Sequence, residues 1–203
     1  MKKTLLIFAK NLIHGEVKTR LASTVGHDKA MTVYEQLIAH TIETTKPLPV
    51  DKTVFYSKRI ELEDAWDNKI YEKNIQTGND LGDKMKNAFA TVFGNRNKKL
   101  VIIGTDCPDL NASVIMNAYV YLEDHDIVIG PASDGGYYLL GMKKLHPRLF
   151  EKIDWSTEKV LAQTLKICES SNLSTFLLPE LSDIDDENDL KKYMNRSLAV
   201  NED

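Results

Sequence analysis

Short apolar runs alternate with longer amphipathic stretches along the chain. The runs have the length of buried strands, and the stretches repeat apolar residues at the three- and four-residue spacing of helices. This alternation predicts a mostly parallel sheet covered by helices, an α/β fold. The predicted strands are residues 4–9, 53–57, 70–76, 100–104, 127–130, 137–142 and 175–178.

Two helices are predicted from apolar stripes over residues 30–42 and 81–93, and both stripes are assigned to the core. Two later helices are predicted over residues 156–170 and 186–194, with a frayed polar tail after Arg196. The segment 131–136 is too short for a crossover helix, so the C-terminal half is expected to contain an antiparallel or mixed part of the sheet.

Length and composition indicate one ordinary globular domain over the 203 residues, with 42% hydrophobic and 28% charged residues. A net charge of −4 gives no reason to expect nucleic-acid binding. No apolar run approaches the roughly 20 residues that span a membrane. Cys107 and Cys168 lie far apart, so neither a disulfide framework nor a cysteine metal site is expected, and a reducing cytoplasm fits best.

The loop after the first strand is basic. Lys10, Lys18 and Arg20 surround the flexible Gly15. Arg20 could bind two phosphate oxygens at once and Lys18 could act as a compact point charge, as expected at a triphosphate site. The alternative is a solvated basic loop. The glycine and lysine spacing of a P-loop is absent.

Asp106 follows the fourth predicted strand directly, so its carboxylate is expected to project into the crevice at the carboxyl ends of the strands. Carboxylate oxygens suit Mg²⁺ or Mn²⁺, particularly when substrate phosphates complete the coordination. The alternative makes Asp106 a turn residue, while Asp109 or Asn111 is expected to cap the next helix. For Asp80, helix capping and substrate contact are equally open.

Asp183 and Asp185 lie two residues apart in a predicted extended segment, so both side chains should share one face while Ile184 points to the core. Neighbouring like charges repel unless a cation bridges them, which favours a metal. Helix capping by Asp185 or Asp186, ahead of Asp189, is the competing interpretation.

Asp134 precedes two glycines, Gly135 and Gly136, which permit close backbone approach to a ligand. A plain hairpin turn is the alternative. Ser156 and Thr157 open a predicted helix, where Ser156 is a natural N-cap and the free N–H groups could also receive an anion.

Several of these segments together resemble a family of bacterial glycosyltransferases, the radical-SAM/selenodomain-associated transferase family of the nucleotide-diphospho-sugar transferase superfamily. The resemblance covers nearly the whole chain. It is carried by Phe8-Ala9-Lys10 with Gly15, Val17-Lys18-Thr19-Arg20-Leu21, Gly104-Thr105-Asp106-Cys107-Pro108-Asp109-Leu110, Gly130-Pro131-Ala132, Asp134-Gly135-Gly136-Tyr137, Trp155-Ser156-Thr157 and Asp183-Ile184-Asp185.

The resemblance implies a GT-A-like fold with a nucleotide-binding half (1–110) and an acceptor-binding half (111–203). A more distant likeness is to the phospholactate and phosphoenolpyruvate guanylyltransferases. By that likeness Lys18 and Arg20 would hold phosphates. The implied metal ligands are Asp106, Asp183 and Asp185.

Two positions depart from the family pattern. The family usually carries a proline near Leu12, and its absence here predicts a looser basic loop. The segment Asp106-Cys107-Pro108-Asp109 is not the Asp-x-Asp of many metal-dependent glycosyltransferases.

The leading hypothesis is a metal-dependent transferase that uses a nucleotide-sugar or nucleoside triphosphate donor and a small acceptor. The acceptor is expected over Gly135, Gly136 and Ser156, with Asp134 orienting it or accepting its proton. A non-catalytic nucleotide sensor and a purely structural subunit are the rival interpretations. The predicted catalytic residues are Lys18, Arg20, Asp106 and Asp134, and the predicted substrate contacts are Lys10, Lys18, Arg20, Asp80, Gly135, Gly136, Ser156 and Thr157.

Overall fold

The structure is a computed structural model that describes residues 1–94 and 98–199, and the side chains of 197–199 are not described. Its seven strands form one sheet. Each strand coincides with a predicted apolar run to within a few residues. The strands are β1 (Lys2–Ala9), β2 (Asp51–Tyr56), β3 (Glu72–Ile75), β4 (Lys98–Ile103), β5 (Ile127–Pro131), β6 (Tyr137–Met142) and β7 (Thr175–Leu177).

The strand order is β3-β2-β1-β4-β6-β5-β7. All neighbouring pairs are parallel except those that include β6, which runs antiparallel to both β4 and β5. The predicted antiparallel part is therefore confirmed as the short β5–β6 hairpin. Because only β6 is reversed, the carboxyl ends of the other strands share one edge of the sheet.

Six α-helices and one short 3-10 helix are present in the described residues. They are α1 (Thr19–Val25), α2 (His27–Thr45), α3 (Leu81–Phe93), α4 (Ala112–Tyr121), the 3-10 helix Pro147–Phe150, α5 (Val160–Ser170) and α6 (Glu187–Ala199).

The helix predictions are correct for α2 and α3 and partly wrong elsewhere. The prediction missed α1, and it expected α4 only as the next helix that Asp109 or Asn111 would cap. Helix α5 begins at Val160 instead of residue 156, since Ser156 has a φ of 63° that no α-helix contains. Helix α6 continues to Ala199, beyond the predicted end at 194, so the tail after Arg196 is helical to that point. The rest of the predicted tail lies outside the described residues.

The sheet separates two apolar layers. On β1, Leu5 and Ile7 face the layer that contains α1, α2, α4 and α6, whereas Leu6 faces the layer that contains α3 and α5. This alternation is what a strand buried on both faces requires. Cys107 and Cys168 are buried free thiols in these two layers. Among the described helices, none is both long enough and apolar enough to cross a bilayer.

Candidate functional site

The connections around β1 create a crevice at the carboxyl edge of the sheet. The chain continues from β1 to β2 and β3 on one side, whereas β4 lies on the other side. In open α/β sheets ligands bind at such a point, where the strand order reverses. The segment after β7 reaches the same place, because the Ile184 N–H donates to the Asp106 carbonyl oxygen at 3.0 Å.

Lys18 lies at the centre of this crevice. Its ammonium contacts Oδ1 of Asp106 at 2.5 Å and Oδ1 of Asp185 at 3.5 Å, and it donates to the Ile184 carbonyl oxygen at 2.6 Å. Only 4% of the Lys18 side chain is exposed. Residues that are remote in sequence therefore meet around the Lys18 ammonium. Lys18 contacts carboxylates, whereas a phosphate ligand is expected to face solvent.

The two carboxylates beside Lys18 are partly open to solvent. Their side chains are 38% exposed for Asp106 and 42% exposed for Asp185. The Arg20 guanidinium lies 3.6 Å from Oδ2 of Asp185 and is itself well exposed. The site thus has a buried ammonium below its acids and an exposed guanidinium at its rim, where an anion from solvent can reach it.

Asp183 is the more buried acid of the cluster. Burial, together with the negative charges of Asp106, Asp134 and Asp185, raises the pKa of its carboxyl to about 7, and Lys18 opposes this shift. Ile184 is buried in the core as predicted, and the shared face of Asp183 and Asp185 stays a prediction.

Helix α6 is capped by other aspartates than the predicted metal ligands. Oδ1 of Asp186 accepts from the backbone N–H groups of Asn188 and Asp189, and the Asp189 carboxylate accepts from those of Asp185 and Asp186. This reciprocal arrangement satisfies the free N–H groups at the helix start. The side chains of Asp183 and Asp185 are therefore not needed for capping.

The loop between β5 and β6 approaches the cluster through Asp134. Its Oδ1 accepts from the Gly136 N–H at 2.8 Å, which closes a local turn. Gly135 has a φ of 87°, and its carbonyl oxygen accepts from the Leu161 N–H at 2.9 Å. A Cβ at Gly135 would lie 2.2 Å from the Glu158 carbonyl oxygen. The turn is thus built for close contact with the segment before α5.

The remaining predicted substrate residues make local contacts. Asp80 caps α3 by accepting from the Asp83 N–H at 2.8 Å, so the capping alternative is confirmed for its side chain. The Thr157 hydroxyl donates to the Asp154 carbonyl oxygen at 2.7 Å. Ser156 is exposed but does not cap α5, so its predicted N-cap role is wrong.

Asn111 caps α4, as expected, by accepting from the Ser113 and Val114 N–H groups. Asp109 instead forms an ion pair with Arg196 of α6, with Oδ2 and Nη2 3.0 Å apart. This pair ties the last helix to the loop after β4.

A polar network that the sequence prediction missed joins the loops. The Tyr34 hydroxyl accepts from the Lys10 N–H at 2.7 Å and lies 3.1 Å from the Thr105 hydroxyl oxygen, next to Asp106. The predicted helical stripe assigned Tyr34 to the core, and it is buried there. Its phenol tip was the overlooked signal, because a buried tyrosine hydroxyl usually finds a polar partner.

Asn11 holds the loop after β1 against the loop after β2. Its Oδ1 accepts from the Lys58 N–H at 2.9 Å, and its Nδ2 donates to the Arg59 carbonyl oxygen at 2.9 Å. Leu12 is 41% exposed beside it. The loop is therefore anchored at the residue next to Leu12.

The acids fit a hard cation only with a rearrangement. Across residues 1–94 and 98–199, no three His, Cys, Asp or Glu side chains are already grouped as a metal site. Asp106 and Asp185 instead share the Lys18 ammonium. Mg²⁺ commonly takes one or two carboxylates and completes its coordination with water and substrate phosphates, so this oxygen pair fits such an ion if Lys18 gives way.

A cavity of about 400 Å³ opens beside Asp183. Ser133 and Ser182, whose hydroxyl oxygens lie 3.1 Å apart, form one wall, and α6 forms the other. Lys192 and Arg196 contribute the cationic groups of that wall. A volume of this size accommodates a small molecule.

The buried carboxyl of Asp183 predicts a pH-dependent stability. Its pKa in the folded state, about 7, lies above its ordinary value of 3.8. Between these values the folded state holds a proton that the unfolded state releases, so stability falls as pH rises towards 7 and then levels off. We expect Asp183→Asn to raise the melting temperature at pH 8 more than at pH 5, measured without added metal.

Asp124→Asn, which changes an exposed carboxylate in the turn before β5, is the control and should show no such pH-dependent gain. An equal effect of Asp183→Asn at both pH values would contradict a buried, proton-holding Asp183.

The family model described as "Uncharacterized protein conserved in bacteria (DUF2064)" matches residues 41–157. No curated protein matches the chain. Among solved structures, a protein from Desulfovibrio desulfuricans G20, provisionally named a nucleotide-diphospho-sugar transferase, is 31% identical. The similarity covers 92% of this chain and 84% of that chain, with a TM-score of 0.82.

Two more distant structures share the fold. The 4-diphosphocytidyl-2C-methyl-D-erythritol synthase from Anaerococcus prevotii is 10% identical over 98% of this chain and 96% of its own, with a TM-score of 0.61. Rv0371c from Mycobacterium tuberculosis H37Rv, in a complex with manganese, is 11% identical over 95% and 97%, with a TM-score of 0.56. The GT-A-like, mixed and mostly parallel fold is thereby confirmed.

Proposed function

The chain belongs to the bacterial family DUF2064, and we propose that it transfers a group from a nucleotide donor to a small acceptor with the help of a divalent metal. The observation that carries this proposal is that Asp106 and Asp185 both contact the Lys18 ammonium at the carboxyl edge of the sheet. The donor is a nucleotide-sugar or a nucleoside triphosphate. Two structural neighbours support this choice, because one is named a nucleotide-diphospho-sugar transferase and the other a 4-diphosphocytidyl-2C-methyl-D-erythritol synthase.

Asp106 and Asp185 would hold the metal, with Asp183 beside them. The manganese complex of the Mycobacterium tuberculosis neighbour supports this choice of ion class, either Mg²⁺ or Mn²⁺. When bound, the ion would neutralise the negative charge on the donor phosphates. The hard carboxylate oxygens of these residues are the ligands such ions prefer.

The donor phosphates bind at the loop after β1. Arg20 is exposed at the rim, 3.6 Å from Asp185, so it can bind phosphate oxygens in two parallel hydrogen bonds while staying next to the acids. Lys10 is exposed in the same loop. These cations stabilise the charge that grows on the leaving group as the donor bond breaks.

The acceptor binds on the other side of Asp106. Asp134, Gly135 and Gly136 form the turn between β5 and β6, and the cavity next to Asp183 lies at the same edge. Asp134 is exposed, and its charge acts on Asp183. It is therefore placed to orient an acceptor hydroxyl or to accept its proton. Ser156 and Thr157 border this region in the segment before α5.

Thermal unfolding with a panel of nucleoside triphosphates and nucleotide-sugars, with and without Mn²⁺, tests the proposal. We expect a rise in melting temperature that requires metal and nucleotide together, because ligands that bind only the folded state stabilise it by mass action. At a ligand concentration of 100 times Kd the gain is about 2.7 kcal/mol. The stabilising pair is then incubated with candidate acceptors, and release of pyrophosphate or nucleoside diphosphate is measured.

The outcomes separate the candidate functions. Release of pyrophosphate indicates nucleotidyl transfer, and release of nucleoside diphosphate indicates glycosyl transfer. Binding without turnover supports a nucleotide sensor, and no shift with any ligand supports a structural role. The resemblance to the radical-SAM/selenodomain-associated transferases concerns the same donor chemistry and stays a prediction.

A further inference from the structure

Lys18 is held in an unusual way for a lysine in a basic loop. Its backbone is left-handed, with φ 47° and ψ 46°, immediately before α1. Non-glycine residues adopt this conformation at a cost, and they keep it where the surroundings enforce it. The side chain is directed into the interior, towards the segment after β7. The backbone conformation and the side-chain direction of Lys18 thus both place its ammonium next to Asp106 and Asp185.

Three protein oxygens surround the Lys18 ammonium. The distances are 2.5 Å to Asp106, 2.6 Å to the Ile184 carbonyl and 3.5 Å to Asp185, the last being the weakest. An ammonium has three donors and no acceptor. The contacts with Ile184 and Asp185 are hydrogen bonds, and the contact with Asp106 is an ion pair. A lysine whose only role is to bind phosphate from solvent is expected to be more exposed than Lys18 is.

On the basis of the proposed function, we propose that Lys18 is a resident counter-cation that makes metal binding depend on the nucleotide. Its ammonium contacts the Asp106 oxygen that a divalent ion needs, and it contacts Asp185 as well. A metal ion alone must displace this ammonium or stand next to it, and like charges at such distances repel.

A nucleotide removes the conflict because its phosphates bring several negative charges into the same space. The ammonium can then turn part of its hydrogen bonding to a phosphate oxygen, while the carboxylates accept the metal. Arg20 at the rim is placed to hold the same phosphates. Metal and donor are thus expected to bind cooperatively, as two ligands that each lower the cost of binding the other.

The test is the affinity for Mn²⁺ in the absence of nucleotide, measured by the electron paramagnetic resonance signal of free Mn²⁺. We compare wild type, Lys18→Met and the control Lys58→Met, which removes an exposed cation after β2 at the same edge of the sheet. Lys18→Met is expected to bind Mn²⁺ about 10-fold or more tightly than wild type, since it removes a charge of the same sign from the site. Lys58→Met should change the affinity far less.

Lys18→Gln keeps hydrogen-bond donors without the charge and serves as a second variant in case Lys18→Met folds poorly. Circular dichroism checks the fold of both. The double variant with Asp106→Asn must lose the gain in Mn²⁺ affinity if the gain arises at this cluster. Unchanged or weaker Mn²⁺ binding in folded Lys18→Met and Lys18→Gln would overturn the role of Lys18.

The failure of this inference is distinguishable from the failure of the proposed function. If wild type binds metal and nucleotide together but the Lys18 variants bind Mn²⁺ like wild type, Lys18 is not the counter-cation and the transferase proposal stands. If the Lys18 variants gain Mn²⁺ affinity but no nucleotide binds, the acid cluster holds a metal and the nucleotide-dependent part is overturned.

Discussion

Replacement of Asp106 with asparagine is expected to lower turnover by about 100-fold to 1000-fold, because a metal clamp contributes several kcal/mol to such a transition state. The cost in folding should be small. Asparagine keeps an oxygen that can accept from the Lys18 ammonium, and the Asp106 side chain is already 38% exposed. The measurement is the steady-state rate with the donor and acceptor identified by the nucleotide panel, together with the melting temperature.

Asp124→Asn is again the control, and its rate should equal that of wild type. Full activity of Asp106→Asn would remove Asp106 from the proposed metal site. Loss of activity together with a large drop in melting temperature would instead show that Asp106 acts by holding Lys18 and the fold.

Gly135→Ala is expected to lower stability by about 3 kcal/mol or more. The φ of 87° is unfavourable for alanine, which costs about 1–3 kcal/mol, and overpacking adds about 1–3 kcal/mol. The new Cβ would lie 2.2 Å from the Glu158 carbonyl oxygen, which is backbone and cannot rotate away. For a chain of this size the melting temperature should fall by roughly 6–12 °C.

Gly104→Ala is the matched control at the same edge of the sheet. A Cβ at Gly104 would have its nearest neighbour at 4.0 Å, so we expect a far smaller change in melting temperature. Equal melting temperatures for the two variants would show that the segment before α5 can move away from Gly135.

The pattern of apolar residues predicted the sheet well because five of the seven strands are mostly buried, the exceptions being the edge strands β3 and β7. Such strands appear as continuous apolar runs, and the short link between β5 and β6 excluded a crossover. Helix α1 was missed, and α4 was expected only from its capping residue and not from an apolar stripe, for opposite reasons. Helix α1 has seven residues, mostly polar, whereas α4 is so apolar that it shows no stripe.

The start of α5 was misplaced because Ser156 followed by Thr157 resembles a helix N-cap. The structure instead places Ser156 in a left-handed conformation within a turn, and the α-helix begins four residues later at Val160. Nothing in the local sequence distinguishes these two uses of serine.

The grouping of the acidic residues in the candidate site could be predicted from the sequence, whereas the direction of the Lys18 side chain could not. The alternation in Asp183-Ile184-Asp185 and the position of Asp106 after β4 indicated one cluster. The direction of Lys18 depends on a hydrogen bond to Ile184, 166 residues away in sequence. No local pattern carries information over that separation, so the basic loop suggested a phosphate ligand.

Tyr34 gives the two halves of the crevice a shared support. Its hydroxyl contacts the Lys10 N–H after β1 and the Thr105 hydroxyl after β4, and burial raises the pKa of this phenol far above its ordinary value, so it stays a neutral donor and acceptor. A ligand that pulled the first loop outward would have to break the contact next to Asp106 as well. Tyr34 therefore fixes the spacing between the basic loop after β1 and the segment that carries Asp106, and this spacing cannot increase without breaking its hydrogen bonds.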